Sequence, residues 1–254
     1  MSDLGLVLRQ VRYVNKSFWR NPASAFFTFA FPLMFLVIFT AIFGGTQDTP
    51  FGTIKASNYY IPAIGAFSII TATYTNLAIS ATFLRDAGIL KRVRGTPLPG
   101  WAYMIGRILH AILASFLLVG IVVAFGVAFY GASVPTGRLL PFILTIVVGA
   151  ASFAALGLAV TAIVPNADAA PAVVNATVLP LLFLSGVFFA LPSGNPWFVV
   201  VAKLFPIYHF AHAMLSSYFG SGNGWEGFDL LILAVWGLAG AILAVRFFRW
   251  EPTP

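Results

Sequence analysis

Six long apolar runs constrain this chain more than any other feature of its sequence. A helix needs about 20 apolar residues to cross the hydrocarbon core of a bilayer. The predicted spans are residues 23–43, 59–82, 103–130, 139–164, 172–191 and 228–247. They are apolar on every face, whereas the strands of a membrane barrel alternate between apolar and polar residues. The sequence therefore predicts an all-α membrane protein with six transmembrane helices, in a single transmembrane domain over residues 1–254.

The charge content identifies the bilayer as the main solvent of the chain. Only 8% of the residues are charged, against about a quarter in soluble domains, and the mean hydropathy is +0.94. A net charge of +7 is compatible with nucleic-acid binding, but the basic residues fall in short segments between the spans. We therefore expect membrane lipids, and no nucleic acid, as partners. Cysteine is absent, which excludes disulfides and a thiol nucleophile.

The distribution of lysine and arginine predicts the orientation of the spans. Eleven of the 14 basic residues fall in the N-terminal segment, after the second span, at the start of the third span and in the C-terminal tail. Only Lys55, Arg138 and Lys203 fall on the opposite side. Because cytoplasmic segments carry an excess of basic residues, both termini are predicted to be cytoplasmic. We expect a multi-pass protein of the bacterial inner or plasma membrane.

The N-terminal segment, residues 4–20, has the pattern of an interfacial amphipathic helix. Arg9, Arg12, Lys16 and Arg20 recur every three or four residues, and apolar side chains occupy the opposite arc. Such a helix lies along the membrane surface with its cations toward anionic headgroups. Two compatible roles are open to it, a brace at the membrane surface and a contact with a cytoplasmic subunit.

A cationic segment, residues 84–97, follows the second span. A helix over residues 84–93 would separate its charges from its apolar side chains, and Gly95, Thr96 and Pro97 would end that helix. A simple topological signal needs neither the helix nor the stop. We therefore expect a soluble partner to bind this segment.

The same segment carries a family resemblance. Its run Arg-Asp-Ala-Gly-Ile-Leu-Lys-Arg-Val-Arg-Gly-Thr-Pro, residues 85–97, resembles the coupling helix of type-2 ABC exporter permeases, closest to the drug-exporting branch. The resemblance extends to the interfacial helix and the order of the spans. Residues 179–189 are similar to the end of that family's fifth span, and residues 205–209 to a motif in its re-entrant helices. Asp86 stands where many members have Glu, and Phe205 where many have Asn.

The resemblance implies a permease that works with other subunits. A second permease subunit would complete a homodimer or heterodimer, and ATP-binding cassette subunits would dock beneath the coupling helices. The sequence contains no Gly-x-x-x-x-Gly-Lys-[Ser/Thr] phosphate loop. The chain is thus expected to be no enzyme by itself and to hold no cofactor, with ATP and magnesium bound by the partner. The residues implied to contact the ATPase subunit are Arg85, Asp86, Gly88, Leu90, Lys91, Arg92, Arg94, Thr96 and Pro97.

Polar side chains in the second and fifth spans are candidates for a translocation path. They are Ser68, Thr71, Tyr74, Thr75, Asn76, Asn175 and Thr177. Contacts between helices explain them equally well, because hydroxyl groups also bond within their own helix. No acidic or basic residue lies in the middle of a predicted span, which disfavours proton or sodium coupling. It favours hydrophobic or lipid-like molecules as cargo. The resemblance to the drug-exporting branch implies hydrophobic or amphipathic drugs, with a lipid or glycolipid as the alternative.

Residues 192–227 are too polar and too broken by Pro and Gly to cross the membrane. They predict short external re-entrant helices, with Phe188, Phe189, Trp197 and Tyr208 as candidates for an external gate. A connection held by an aromatic belt is the equal alternative. His209 and His212 have the spacing of metal ligands, but no nearby carboxylate is evident, so no metal site is expected.

Two other functional classes fit the sequence less well. An intramembrane enzyme would need a catalytic cluster, and the chain has no His-Glu metal motif and no Gly-x-Ser-x-Gly elbow. A passive channel, a scramblase or a membrane scaffold could share the span count. Each of these would leave the cationic cytoplasmic helix without a function.

Overall fold

The computed structural model describes residues 3–49, 52–191, 197–220 and 223–252. The helices in these ranges are α1 (Asp3–Trp19), α2 (Pro22–Ile42), α3 (Ala56–Ile70), α4 (Asn76–Asp86), α5 (Ile89–Arg94), α6 (Gly100–Tyr130), α7 (Leu139–Val160), α8 (Ala170–Leu184), α9 (Trp197–Ala202), α10 (Pro206–Phe219) and α11 (Gly227–Phe247). A π-helical turn, Thr71–Thr75, joins α3 to α4, and a 3₁₀ turn, Thr136–Arg138, precedes α7. The all-α class is confirmed. One small antiparallel hairpin, β1 (Thr46–Thr49) with β2 (Gly52–Lys55), is an unexpected addition.

Five helical stretches among the described residues are long and apolar enough to cross a membrane. They are Ala25–Ile42, Ala56–Asp86, Gly100–Tyr130, Thr136–Val160 and Gly227–Phe247. They correspond to the first four predicted spans and the last one. Two of them contain 31 residues, about 46 Å of helix, whereas the hydrocarbon core is about 30 Å thick. The ends of these two helices therefore extend beyond the core.

The fifth predicted span is shorter than the sequence indicates. Its helix, α8, ends at Leu184 after 15 residues, about 22 Å of helix. Gly186 then adopts a φ of +81°, a left-handed conformation that glycine tolerates best. Tyr59 and Tyr60 of α3 donate hydrogen bonds to the carbonyl groups of Gly186 and Phe188. The helical boundary predicted at residue 191 is therefore wrong, and the count of six spans stays a prediction.

The second span is irregular at its centre, where the π-helical turn meets α7. A β-carbon at Gly157 of α7 would lie 2.7 Å from the carbonyl oxygen of Tyr74 and 3.0 Å from that of Thr73. These neighbours are backbone atoms, so they cannot rotate away as a side chain would. The missing side chain at Gly157 therefore lets α7 pack directly on the π-helical turn. Such turns are frequent at functional sites.

Replacing Gly157 with valine is expected to lower the thermal midpoint of the detergent-solubilised chain by roughly 5 °C. Overpacking of this kind costs about 1–3 kcal/mol, and each kcal/mol lowers the midpoint by about 2–4 °C in a chain of this size. Gly120→Val on α6 is the matched control, because nothing lies within 4 Å of a β-carbon at that position. Equal midpoints for the two variants would contradict the close approach at Gly157.

The segment between α8 and α11 contains two short helices of different character. Trp197, at the start of α9, is 78% exposed. In α10, Phe210 and Met214 are fully buried in the main apolar cluster. A β-carbon at Gly149 of α7 would lie 2.1 Å from the Phe210 ring, so α10 occupies space that this glycine leaves open. This packing places α10 within the bundle, and its re-entrant position in an outer leaflet stays a prediction. Residues 192–196 and 221–222 of the segment lie outside the described residues.

Candidate functional site

The cationic segment is built from the end of α4 and the short helix α5. Gly88 separates them with a φ of +68° and a ψ of 8°, a left-handed conformation that interrupts the helix. The N–H of Gly88 donates to the carbonyl of Arg85 at 2.9 Å, and α5 starts one residue later. The prediction of one helix over residues 84–93 is therefore wrong. The charge pattern continues across the glycine, but the helix does not.

Helix α5 is anchored by apolar side chains, chiefly Leu90, and exposes its cations. Leu90 is fully buried in a cluster that includes Leu77 of α4 and Tyr103 of α6. The hydroxyl of Thr96 donates to the carbonyl of Val93 at 2.6 Å and holds the end of the segment. The exposed residues are Lys91, Arg92, Arg94, Gly95, Thr96 and Pro97. We call the three cations Lys91, Arg92 and Arg94 the α5 ridge. The expected surface contact at Leu90 is corrected, since this side chain anchors the helix instead.

Arg85 points into the subunit. Its side chain is 1% exposed, and its Nε donates to Oδ1 of Asp86 at 3.0 Å. The terminal nitrogens of the guanidinium donate, over 2.9–3.2 Å, to three carbonyl groups at the end of α7 and in the following loop, those of Thr161, Val164 and Pro165. Oδ2 of Asp86 accepts a hydrogen bond from the N–H of Ala167 at 2.6 Å. We call this arrangement the Arg85–Asp86 clamp.

The clamp corrects the expected role of Arg85 as a contact to the ATPase subunit. A guanidinium group has five N–H donors and no acceptor, and most of them are used within this chain. Arginine beside the last carbonyl groups of a helix is also favoured by the helix dipole. The clamp therefore ties the end of α4 to the loop between α7 and α8. This is the end of the second span that is predicted to be cytoplasmic.

A groove of about 260 Å³ lies between α2 and the second span. Four of the seven candidate path residues line it, namely Ser68, Thr71, Thr75 and Asn76. Helix α2 contributes Phe27, Phe31 and Pro32. The hydroxyl of Ser68 donates to the carbonyl of Ile64 at 2.6 Å, so it bonds within its own helix. The amide of Asn76 is exposed. The described lining is aromatic and hydroxylic, and it contains no ionisable side chain.

The other three candidates for the path lie outside this lining. The hydroxyl of Thr177 donates to the carbonyl of Val174 at 2.7 Å, so it accepts from the Tyr74 hydroxyl, also at 2.7 Å. This bond joins the π-helical turn to α8. Asn175 is half-buried on the same helix. For Tyr74 and Thr177, contact between helices is a sufficient explanation.

The four candidates for the external gate make different contacts. Phe188 stacks on Phe39 of α2, with ring centres 5.6 Å apart and an angle of 14°. Phe189 meets Phe43 edge-on at 5.8 Å. Trp197 packs its ring on its neighbour Phe198, and Tyr208 stacks on His212. Phe188 and Phe189 thus share one aromatic cluster with Phe39 and Phe43. Trp197 and Tyr208 make their aromatic contacts elsewhere.

A carboxylate that sequence reasoning missed lies between the two histidines. Oδ1 of Asp229, at the start of α11, is 2.6 Å from Nδ1 of His209, and Oδ2 is 2.6 Å from Nδ1 of His212. Glu226 lies close by and accepts a hydrogen bond from Ser216 at 2.6 Å. The statement that no carboxylate is near is therefore wrong, because the packing of α10 on α11 brings Asp229 across 17 residues of sequence.

The electrostatic surroundings of His212 follow from this packing. Burial disfavours the charged imidazolium. The hydrogen bond to Asp229 and the negative charges of Asp229 and Glu226 outweigh this burial, and together they raise the pKa of His212. The charge of Lys203 acts in the opposite direction.

Helix α1 packs across α6 and turns its cations outward. Val7 is buried against α6, and a β-carbon at Gly106 of α6 would lie 2.5 Å from Cγ of Gln10. The exposed cations are Arg9, Arg12, Lys16 and Arg20. A helix with one face on the bundle and cations on another fits a brace, and its place at the membrane surface stays a prediction.

Comparison with known proteins agrees with this arrangement. The profile of the ABC-2 type transporter family matches residues 7–219. The chain is also similar to the daunorubicin resistance ABC transporter permease protein DrrB1 of Streptomyces coeruleorubidus. The two are 27% identical over 229 residues, which cover 86% of this chain and 77% of the relative.

Proposed function

Because the chain belongs to the ABC-2 type transporter family, we propose that this permease is the membrane subunit of an ATP-driven exporter of hydrophobic or amphipathic compounds. A separate ATP-binding cassette subunit would bind ATP and magnesium and supply the work. The relative DrrB1 is a daunorubicin resistance permease by name. This favours drug-like compounds as the cargo over lipids or glycolipids.

The observation that carries this proposal is the α5 ridge. Its three cations project from a helix whose one buried side chain, Leu90, is seated among residues of α4 and α6. A partner that displaces α5 would therefore displace α4, and the Arg85–Asp86 clamp would pass that movement to the loop after α7. The chain has no phosphate loop of its own. An outside source of work acting on α5 accounts for both features.

The groove beside α2 supports the cargo class and a second permease subunit. Its aromatic and hydroxyl lining favours compounds with apolar rings and a few polar groups. Its volume of about 260 Å³ is below the range of about 300–1,000 Å³ that encloses drug-sized ligands. A second copy, or a related chain, facing this groove would complete a path of sufficient size.

Reconstitution with the ATP-binding subunit tests this proposal. We expect an adjacent reading frame to encode a phosphate-loop ATPase, and this partner and the permease would be placed together in lipid vesicles. We expect an amphipathic aromatic drug to raise ATP turnover severalfold and to accumulate on the side opposite the ATPase. A partner with its phosphate-loop lysine replaced, and a hydrophilic sugar as test compound, are the controls. Drug movement without nucleotide hydrolysis would indicate a passive channel, and stimulation by lipids alone would indicate a lipid exporter.

A further inference from the structure

We propose that His212, Asp229 and Glu226 bind one divalent transition-metal ion of the zinc class where α10 meets α11, with His209 as the residue that positions Asp229. One potential ligand atom from each of these three side chains lies within 4.8 Å of the other two. They bring together the middle of α10 and the start of α11. The site goes beyond the proposed transport function and does not depend on it.

The ligand spacing suits a small metal ion. Zinc binds nitrogen and oxygen ligands at about 2.0–2.2 Å, so two ligand atoms of a tetrahedral site lie about 3.4 Å apart. The three atoms here span 2.6 Å, between His212 and Asp229, to at most 4.8 Å. Shifts of about 1 Å would bring them to that spacing. One imidazole and two carboxylates are also the donor types that zinc, cobalt and nickel accept.

His209 supports the site and is not itself a ligand. Its Nε2 lies 2.9 Å from the carbonyl of Lys203, and a carbonyl only accepts, so Nε2 carries a hydrogen. Its Nδ1 faces Oδ1 of Asp229 at 2.6 Å. Both ring nitrogens are therefore used, and His209 orients the carboxylate. Such contacts to ligating groups are typical of metal sites.

The other ligands are held as well. Ser216 donates to Oε1 of Glu226 at 2.6 Å, and the Tyr208 ring stacks on His212 at 6.1 Å with an angle of 9°. The ion would take the place of the hydrogen that Nδ1 of His212 shares with Oδ2 of Asp229, because a ligating imidazole nitrogen must be deprotonated. A hydrogen-bonded bridge alone would use Asp229 and the two Nδ1 atoms. It would not require Glu226 beside them.

Exposure and charge allow the ion to enter and be retained. The His212 side chain is 31% exposed and that of Asp229 is 8% exposed, so the imidazole and Glu226, which is half-buried, form the accessible side. The charges of Asp229, Glu226 and Lys203 all act on His212. A divalent cation would neutralise both carboxylates in a site that is largely removed from water.

Metal titration of the purified full chain tests the site. The chain, carried in detergent on a tag without histidine and stripped with a chelator, would be titrated with Co²⁺ followed by Zn²⁺. We expect one Co²⁺ per chain, visible absorption bands of a nitrogen- and oxygen-ligated ion, and displacement by Zn²⁺. His212→Gln and Glu226→Gln should each weaken binding at least tenfold. His209→Gln should weaken it 10–100-fold.

A matched control and a second readout keep the test decisive. His110→Gln removes the remaining histidine, which packs on Phe18 of α1, and should leave binding unchanged. Zn²⁺ should raise the thermal midpoint of the wild-type chain but not that of Glu226→Gln, because a ligand stabilises only the state that binds it. Absence of any Co²⁺ binding at up to about 1 mM metal, where even a site with a Kd of about 1 mM is half occupied, would overturn the proposal. Binding that survives in both His212→Gln and Glu226→Gln would also overturn it.

Discussion

Replacing Arg85 with methionine is expected to lower the thermal midpoint of the detergent-solubilised chain by roughly 6–20 °C. The guanidinium supplies donors to Asp86 and to three backbone carbonyl groups. Without it, the Asp86 carboxylate loses its counter-charge, and the carbonyl groups lose their partners. Breaking a buried ion pair costs about 3–5 kcal/mol, and each kcal/mol corresponds to about 2–4 °C in a chain of this size.

Two further substitutions separate the effect of the clamp from that of the charge. Arg85→Lys keeps the positive charge, but a single ammonium cannot match the fork of donors, so we expect an intermediate loss. Arg92→Met removes an exposed arginine nearby and should change the stability by about 0.5 kcal/mol or less. A midpoint for Arg85→Met equal to that of Arg92→Met would show that the clamp contributes nothing to stability.

The positions of the long spans could be predicted from the sequence because lipid imposes one simple requirement. A helix that crosses it must be apolar over its full length. Helices α2 and α11 therefore start and end within one residue of the predicted limits, and α6 starts three residues earlier and ends as predicted. The hydropathy of these segments carries all the information needed, irrespective of what they pack against.

The departures from the prediction occur where a single backbone angle or a distant contact decides the structure. Gly88 and Gly186 end helices through left-handed backbone conformations, which hydropathy does not report. The sequence predicts an exposed Arg85, because the carbonyl partners of this side chain lie about 80 residues away and offer no side chain to recognise. Asp229 was overlooked for the same reason, since only the packing of α10 on α11 brings it to the histidines.

The lining of the groove could be predicted in part from the sequence. The π-helical turn explains why some of the candidate path residues lie outside this lining. Regular helical spacing places Thr71 and Thr75 on one face, and both line the groove with Ser68 and Asn76. Tyr74 points instead to α8, where it meets Thr177. The wider π-helical turn lies between these contacts, and it changes the direction of later side chains relative to earlier ones. A sequence pattern based on 3.6 residues per turn does not contain this change.

Reversing two charges of the α5 ridge is expected to abolish co-purification with the ATP-binding subunit. In Arg92→Glu combined with Arg94→Glu, two exposed cations become anions on a helix that Leu90 still anchors. Like charges set against each other across an interface cost several kcal/mol, so we expect affinity to fall at least 100-fold, about 2.7 kcal/mol. Co-purification at low salt, followed by titration of the partner onto the permease in nanodiscs, measures this loss.

The control variant has the same change in net charge as the double reversal, but at two positions outside α5. Lys55→Glu combined with Lys203→Glu alters two exposed lysines on the side predicted to face outward, and association should persist. Lys91 is left intact in both variants because its ammonium lies 4.0 Å from the Glu251 carboxylate. Since screening weakens exposed charge pairs, wild-type association should also weaken with added salt. Wild-type co-purification by the Arg92 and Arg94 double variant would exclude α5 as the docking helix, and the cations of α1 would then be the next surface to reverse.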